Sequence, residues 1–287
     1  MYFIIKKLKY GKRLFMAVSL TPTMLPIMAS LNYDGLNFVV ISFFLMAFIN
    51  LSVESKFSMR NLLKLLIGIL FILFFAKTNM LLMLTLVPIL FLNSWKKIPL
   101  YQKIKSKLKN IKMFYILISF LLVIVLSAFF IIKIDVNTII RIFNTLTYPE
   151  NTFMTSMILG GNFVFVPSLF LSYYWFFVIV VSILSDKSKF VLKNSIFSWT
   201  PFFLYVLHIF IALICYRSYL WHAKTNFLSK VIEGQQGRYF TPYILPFSIL
   251  GASLNRRIKI SDLMLNLFIF GGSVMSVIFT IYAIYIF

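Results

Sequence analysis

The sequence predicts an all-α, polytopic integral membrane protein, and three observations predict this fold class. The chain has 287 residues, of which 61% are hydrophobic and only 12% are charged, whereas a soluble domain of this length needs more polar surface. Its apolar segments are long and continuous, unlike the short alternating strands of a membrane β-barrel. Most of its 28 Lys and Arg residues fall in every second loop between those segments.

The apolar segments predict about nine transmembrane helices in a single membrane domain covering residues 1–287. The stretch 62–94 is too long for one span, since at about 1.5 Å per residue it would reach roughly 50 Å, against a hydrocarbon core of about 30 Å. We therefore predict a hairpin that turns near Lys77. The predicted spans are residues 14–30, 36–53, 62–77, 79–94, 113–133, 166–185, 199–218, 240–255 and 263–286.

The positions of the basic residues predict the orientation in the membrane. Short loops rich in Lys and Arg stay on the cytoplasmic side, which places the N-terminus inside and the C-terminus outside. The net charge of +21 then faces the anionic lipids of the inner leaflet, so membrane lipid is the expected partner and nucleic acid is not. The dense basic clusters lie at residues 6–13, 56–64, 96–112, 187–193 and 256–259.

Two charged residues stand out on the predicted outer face. Asp34 lies where a helix begins. It is either a helix N-cap or first-turn acid, which the helix dipole stabilises, or a carboxylate that acts as a general base or binds a sugar hydroxyl or a metal. Lys77 ends an apolar segment outside any basic cluster. It either extends its ammonium group to the lipid headgroups or marks a site for an anionic substrate.

The last outer loop contains Gln236, Gly237, Arg238 and Tyr239 ahead of a predicted helix. The glycine lets the backbone approach a ligand closely. Arg238 is placed where its guanidinium group and a helix N-terminus can both hold a phosphate. The alternative is an Arg–Tyr anchor at the membrane interface. Together with Lys77, these four residues form the candidate lipid-phosphate site.

Other polar residues give weaker signals. His208 lies inside the seventh predicted span, where we expect a hydrogen bond between packed helices rather than catalysis. The sequence has no phosphate-binding glycine loop, no dinucleotide-binding motif and no Cys/His spacing typical of a metal site. No metal ligand is predicted, and the cofactor stays open, with a divalent metal as one option.

Three stretches resemble the domain of unknown function 2142 family of bacterial multi-pass membrane proteins. They are Gly-Lys-Arg-Leu-Phe at 11–15, Ala-Ser-Leu-Asn-Tyr-Asp-Gly at 29–35 and Gly-Gln-Gln-Gly-Arg-Tyr-Phe-Thr-Pro at 234–242, with Lys77 closing a helix between them. The resemblance extends over essentially the whole chain. It implies a location in the bacterial plasma membrane and a relation to the GT-C glycosyltransferases, which use lipid-phosphate sugars on the extracytoplasmic face, often in cell-surface polysaccharide assembly.

Three functional hypotheses follow from this resemblance, and whether the chain is an enzyme stays open among them. The first is a GT-C-like glycosyltransferase, or its C-terminal part, in which Asp34 orients or deprotonates the acceptor and Lys77 and Arg238 bind a polyprenyl-phosphate sugar. The second is a non-enzymatic flippase or polymerase partner for lipid-linked glycans. The third is a nonfunctional truncated fragment. Family members carry further N-terminal helices and an acidic first outer loop, so a separate N-terminal polypeptide is one expected partner.

Overall fold

A computed structural model of the chain describes residues 1–29, 33–54, 58–88, 90, 140, 169–185, 199–209, 239–253 and 258–286. This part of the protein is helical and has no strand, in agreement with the predicted all-α class. The α-helices are α1 (Tyr2–Lys7), α2 (Lys12–Ser19), α3 (Met24–Ala29), α4 (Tyr33–Val53), α5 (Met59–Phe75), α6 (Leu169–Ser185), α7 (Trp199–Ile209), α8 (Phe247–Ser253) and α9 (Asp262–Ile286), and 3₁₀ helices cover Thr78–Thr85 and Thr241–Ile244.

Two of the described helices are long and apolar enough to cross a membrane. They are α4 and the first 18 residues of α9, Asp262–Phe279. A helix of the length of α4, 21 residues, measures about 30 Å, which equals the thickness of the hydrocarbon core. The other helices in the described ranges are shorter, so those ranges do not confirm nine spans. The predicted span 113–133 lies outside them.

Three of the predicted spans are wrong as continuous α-helices. Span 14–30 consists of α2 and α3 with a break between them, because Pro22 has no N–H group and its ring obstructs a continuing helix. The hydroxyl of Thr21 accepts a hydrogen bond from the backbone N–H of Met24 at the start of α3 (3.4 Å). Spans 79–94 and 240–255 both begin as 3₁₀ helices, and the second of these has Pro242 in its first turn.

Helices α4 and α5 form an antiparallel hairpin. Asp34 at the start of α4 contacts Lys77 just beyond the end of α5, while Glu54 just beyond the end of α4 contacts Asn61 at the start of α5. Between these ends Gly68 lets the helices approach, since a Cβ atom there would lie 3.0 Å from the Cα of Phe44. Extended backbone at Ala76 and Lys77 ends α5 where the sequence predicts the turn of a hairpin, and the second predicted arm, 79–94, lies partly outside the described residues.

A second helix pair is formed by α6 and α9. The indole N–H of Trp175 donates to the hydroxyl of Ser276 (2.9 Å), and the hydroxyl of Tyr174 donates to the carbonyl of Phe268 (2.6 Å). Gly272 lies against both aromatic rings, where a Cβ atom would come within 2.6 Å of Tyr174. Small residues of this kind let membrane helices approach closely. Helices α2 and α8 also pack against α6.

A polar cluster of Lys9, Asn50, Glu54 and Asn61, here called the Glu54 cluster, fixes the chain at the Val53 end of α4. Glu54 accepts hydrogen bonds from the ammonium group of Lys9 (2.6 Å) and the amide of Asn61 (2.5 Å). Asn50 accepts from the backbone N–H of Lys9 (2.8 Å). The cluster therefore joins two of the predicted cytoplasmic basic loops, 6–13 and 56–64.

Candidate functional site

An ion pair between Lys77 and Asp34 lies at the opposite end of α4. Asp34 belongs to the first turn of α4, and Lys77 follows α5. The two meet because the antiparallel hairpin brings the start of one helix beside the end of the other. Both side chains are more than two-thirds buried, so water screens the pair less than it would on an open surface.

Two aromatic rings flank the ammonium group of Lys77. Its Nζ atom lies 4.6 Å from the ring centroid of Tyr239 and 5.6 Å from that of Tyr33. A cation within about 6 Å of a ring centroid is attracted by the ring quadrupole. Lys77 is thus held by a carboxylate and two aromatic rings, contributed by α4 and by the chain just before Thr241. We call Tyr33, Asp34, Asn37, Lys77 and Tyr239 the Lys77 cluster.

Asn37 fixes the backbone of Lys77. Its side-chain oxygen accepts a hydrogen bond from the Lys77 N–H (2.8 Å), and its amide group donates to the carbonyl of Tyr33 (2.8 Å). Asn37 is buried, so an apolar residue in its place would leave the N–H group of Lys77 without this acceptor. The side chain therefore sets the position at which the chain leaves α5.

The charges of the pair also complement the two helix ends. The N-terminus of α4 carries a partial positive charge that favours Asp34, and the C-terminus of α5 carries a partial negative charge that favours Lys77. The expectation that Asp34 is a first-turn acid is confirmed, since the structure assigns it to the first turn of α4. Asp34 can bind a ligand while it is paired with Lys77, because the two oxygens of a carboxylate accept more than one hydrogen bond.

His208 in α7 holds the backbone of Tyr239. Its Nε2 atom lies 3.2 Å from the carbonyl oxygen of Tyr239, so the ring nitrogen donates this hydrogen bond. The imidazole is fully buried and stacks on Tyr243, with ring centroids 3.7 Å apart, and meets the edge of Phe240. His208 therefore forms a hydrogen bond, as expected, but its partner is a backbone carbonyl just before the Thr241–Ile244 helix rather than a group of a packed helix.

The structure brings together three of the six residues predicted for the site, Asp34, Lys77 and Tyr239. Gln236, Gly237 and Arg238 lie outside the described residues. Sequence reasoning missed the parts played by Asn37 and Tyr33. A signal for Asn37 existed, because an amide three residues after Asp34 in an otherwise apolar helix needs a hydrogen-bonding partner.

The described residues offer no grouping of three or more His, Cys, Asp or Glu side chains that could hold a metal ion. Asp34 is a single carboxylate beside an ammonium group, whereas a divalent cation such as Mg²⁺ needs several oxygen ligands. What the Lys77 cluster offers chemically is a cation with an adjacent carboxylate and aromatic surfaces. These groups suit a ligand that combines a phosphate, hydroxyl groups and apolar carbon.

Comparison with known proteins identifies no relative. The chain matches no family model, no curated protein and no solved structure.

Proposed function

We propose that this chain is a multi-pass protein of the bacterial plasma membrane that uses a polyprenyl-phosphate sugar on the extracytoplasmic face, as a GT-C-like glycosyltransferase or its C-terminal part. The observation that carries the proposal is the Lys77 cluster, in which Asp34, Lys77 and Tyr239 converge from three separate parts of the sequence. The resemblance to the domain of unknown function 2142 family supplies the class of chemistry, and cell-surface polysaccharide assembly is the process it favours.

The membrane setting rests on the separation of two polar clusters. The Lys77 cluster and the Glu54 cluster lie at opposite ends of α4, about 30 Å apart along a helix of 21 residues. That separation matches one hydrocarbon core, and the residues between are largely apolar. The Glu54 cluster contains predicted cytoplasmic residues, so the Lys77 cluster belongs to the outer surface in this proposal.

In the proposed reaction the acceptor hydroxyl oxygen forms a bond to the anomeric carbon of the sugar. The bond from that carbon to the phosphate oxygen breaks, and polyprenyl phosphate leaves with the electron pair. Lys77, assisted by Arg238, offsets the negative charge on the departing phosphate. Asp34 accepts the proton of the acceptor hydroxyl. Tyr239 holds Lys77 and offers its ring to the sugar or to the first isoprene unit.

A second candidate is a non-enzymatic protein that binds lipid-linked glycans, such as a flippase or a polymerase partner. The pairing of Asp34 with Lys77 favours it, because that carboxylate already has a structural partner and a binding protein needs no base. If the chain is a binding protein, loss of Asp34 lowers ligand binding and stability together. If the chain is an enzyme, loss of Asp34 stops sugar transfer while the donor still binds.

The test is sugar transfer from labelled polyprenyl-phosphate sugars by membranes that contain the chain. The Asp34→Asn variant keeps the size of the side chain and loses the base, so transfer should fall by about 100-fold or more. Donor binding should change much less. Equal transfer by the variant and the wild type would overturn the role of Asp34.

The matched controls separate chemistry from folding. Tyr239→Phe keeps the ring that faces Lys77 and should retain transfer, whereas Tyr239→Leu removes it and should lower transfer. Lys259→Gln removes an exposed charge that belongs to neither the Lys77 cluster nor the Glu54 cluster and should have no effect. Absence of transfer in wild-type membranes, combined with specific donor binding, would select the non-enzymatic candidate.

A further inference from the structure

A second charged region of the structure, around the start of α5, has an unbalanced positive charge. Lys64 lies within electrostatic reach of Arg60, Lys7 and Lys9, and the carboxylate of Glu54 lies within the same reach. Glu54 is already engaged by Lys9. Among the described residues none of Lys7, Arg60 and Lys64 forms an ion pair with an acidic side chain, so within this part of the chain their positive charge is available to an anion. We call Lys7, Arg60 and Lys64 the basic patch.

An apolar stripe on α5 begins beside the basic patch. Its side chains recur at helical spacing and are all more than half exposed; they are Leu63, Leu66, Leu70, Leu73 and Phe74. From Leu63 to Phe74 the helix rises about 17 Å, which is close to half of a hydrocarbon core of about 30 Å. The stripe therefore has the length of one lipid leaflet.

Helix α1, which contains Lys7 of the basic patch, also carries exposed apolar side chains. Tyr2 and Phe3 are about 70% exposed, at 68% and 73%, and Lys6 and Lys7 follow them in the last turn of α1. Large apolar side chains next to lysines are typical of a segment that lies in the headgroup region of a membrane. Asn50 holds this segment against α4 by donating to the carbonyl of Lys7 (3.0 Å).

We infer that the basic patch and the α5 stripe together form a binding site for an anionic phospholipid of the inner leaflet. The phosphodiester group contacts Arg60, Lys64 and Lys7, and one acyl chain lies along the stripe toward Phe74. Charge selects the anionic headgroup, and the leaflet-length stripe selects a lipid over a soluble anion. The inference rests on the membrane orientation proposed above but not on sugar binding or transfer, so it can fail while that activity stands.

The test is lipid binding to the purified full chain in detergent, measured by native mass spectrometry with phosphatidylglycerol and phosphatidylcholine. Phosphatidylglycerol should bind more tightly, and the Arg60→Gln/Lys64→Gln variant should lose that preference, with affinity falling about 10- to 30-fold. Arg60→Lys/Lys64→Arg preserves both charges and should retain binding. Lys12→Gln/Lys259→Gln removes two exposed charges outside the patch and should leave binding unchanged.

Several results would overturn the inference. One is equal affinity for the two lipids, and another is full retention of phosphatidylglycerol binding by the Gln variant. Inorganic phosphate or an acidic peptide that competes as well as long-chain phosphatidylglycerol would show that the patch binds a soluble anion instead. If the Gln variant fails to fold, weakened lipid binding by single Arg60→Gln and Lys64→Gln variants with wild-type thermal unfolding still supports the site. Wild-type lipid binding by both single variants overturns the inference.

Discussion

The ammonium group of Lys77 is paired with the carboxylate of Asp34, although 43 residues separate the two in the sequence. The pair connects the start of α4 to the end of α5, and the ring of Tyr239 covers it from a third part of the chain. Its role in the fold can be measured separately from its proposed role in sugar transfer.

Removing either member of the Lys77–Asp34 pair should destabilise the protein by about 1–3 kcal/mol, because the remaining partly buried charge loses its partner. The double variant Asp34→Asn/Lys77→Met should lose less than the sum of the two single variants, with a coupling of about 0.5–3 kcal/mol. The free energy of unfolding in detergent, by heat or denaturant, is measured for the wild type, the two single variants and the double variant. Strictly additive losses would mean that the two side chains do not interact.

The contact between α6 and α9 predicts opposite outcomes at two neighbouring glycines. Gly272→Ala places a Cβ atom 2.6 Å from the Tyr174 ring, so the helices must separate, at a cost of about 1–3 kcal/mol. Gly271→Ala meets its nearest atom at 3.9 Å and should be neutral or stabilise the helix by up to about 1 kcal/mol. The free energy of unfolding is measured for both variants. Equal changes in the two would contradict the close approach of α6 and α9 at Gly272.

His208 should act on the Lys77 cluster through Tyr239. The His208→Phe variant keeps an aromatic ring against Tyr243 but loses the hydrogen bond to the Tyr239 carbonyl, which should cost about 1 kcal/mol of stability or more. Donor affinity should fall as well, because Tyr239 is no longer fixed beneath Lys77. Loss of stability with unchanged donor affinity would restrict His208 to packing.

The proposed orientation predicts that Tyr33, at the start of α4, and Lys259, just before α9, are accessible from opposite sides of the membrane. In a Cys215→Ser background, a cysteine at Tyr33 should react with a membrane-impermeant thiol reagent added outside intact cells. A cysteine at Lys259 should react only after the cells are opened. Labelling of both from the same side would refute the orientation.

The all-α class and several helices could be predicted because they depend on hydrophobic runs. Helices α4 and α9 coincide with predicted spans, and the break at Lys77 followed from the limit that bilayer thickness sets on a span. The interruption at Pro22 and the 3₁₀ turns at Thr78 and Thr241 were missed, since hydropathy averages over a window and does not register local backbone geometry.

The candidate site could be predicted in part for a similar reason. Charged residues between apolar segments are visible in the sequence, so Asp34 and Lys77 were named. Their direct pairing depends on the antiparallel register of α4 and α5, which hydropathy does not determine. Asn37 was overlooked because its hydrogen bonds go to backbone atoms, and sequence patterns carry little information about such contacts.

Binding of a polyprenyl-phosphate sugar to the purified chain decides whether the Lys77 cluster holds the phosphate of that donor. The assay compares the wild type with Tyr239→Phe and with the charge-neutral double variant Asp34→Asn/Lys77→Met, after each is shown to be folded by thermal unfolding. We expect wild-type affinity for Tyr239→Phe and an affinity at least about 10-fold lower for the double variant, which corresponds to about 1.4 kcal/mol. Undiminished donor binding by a folded double variant would contradict this role of the Lys77 cluster.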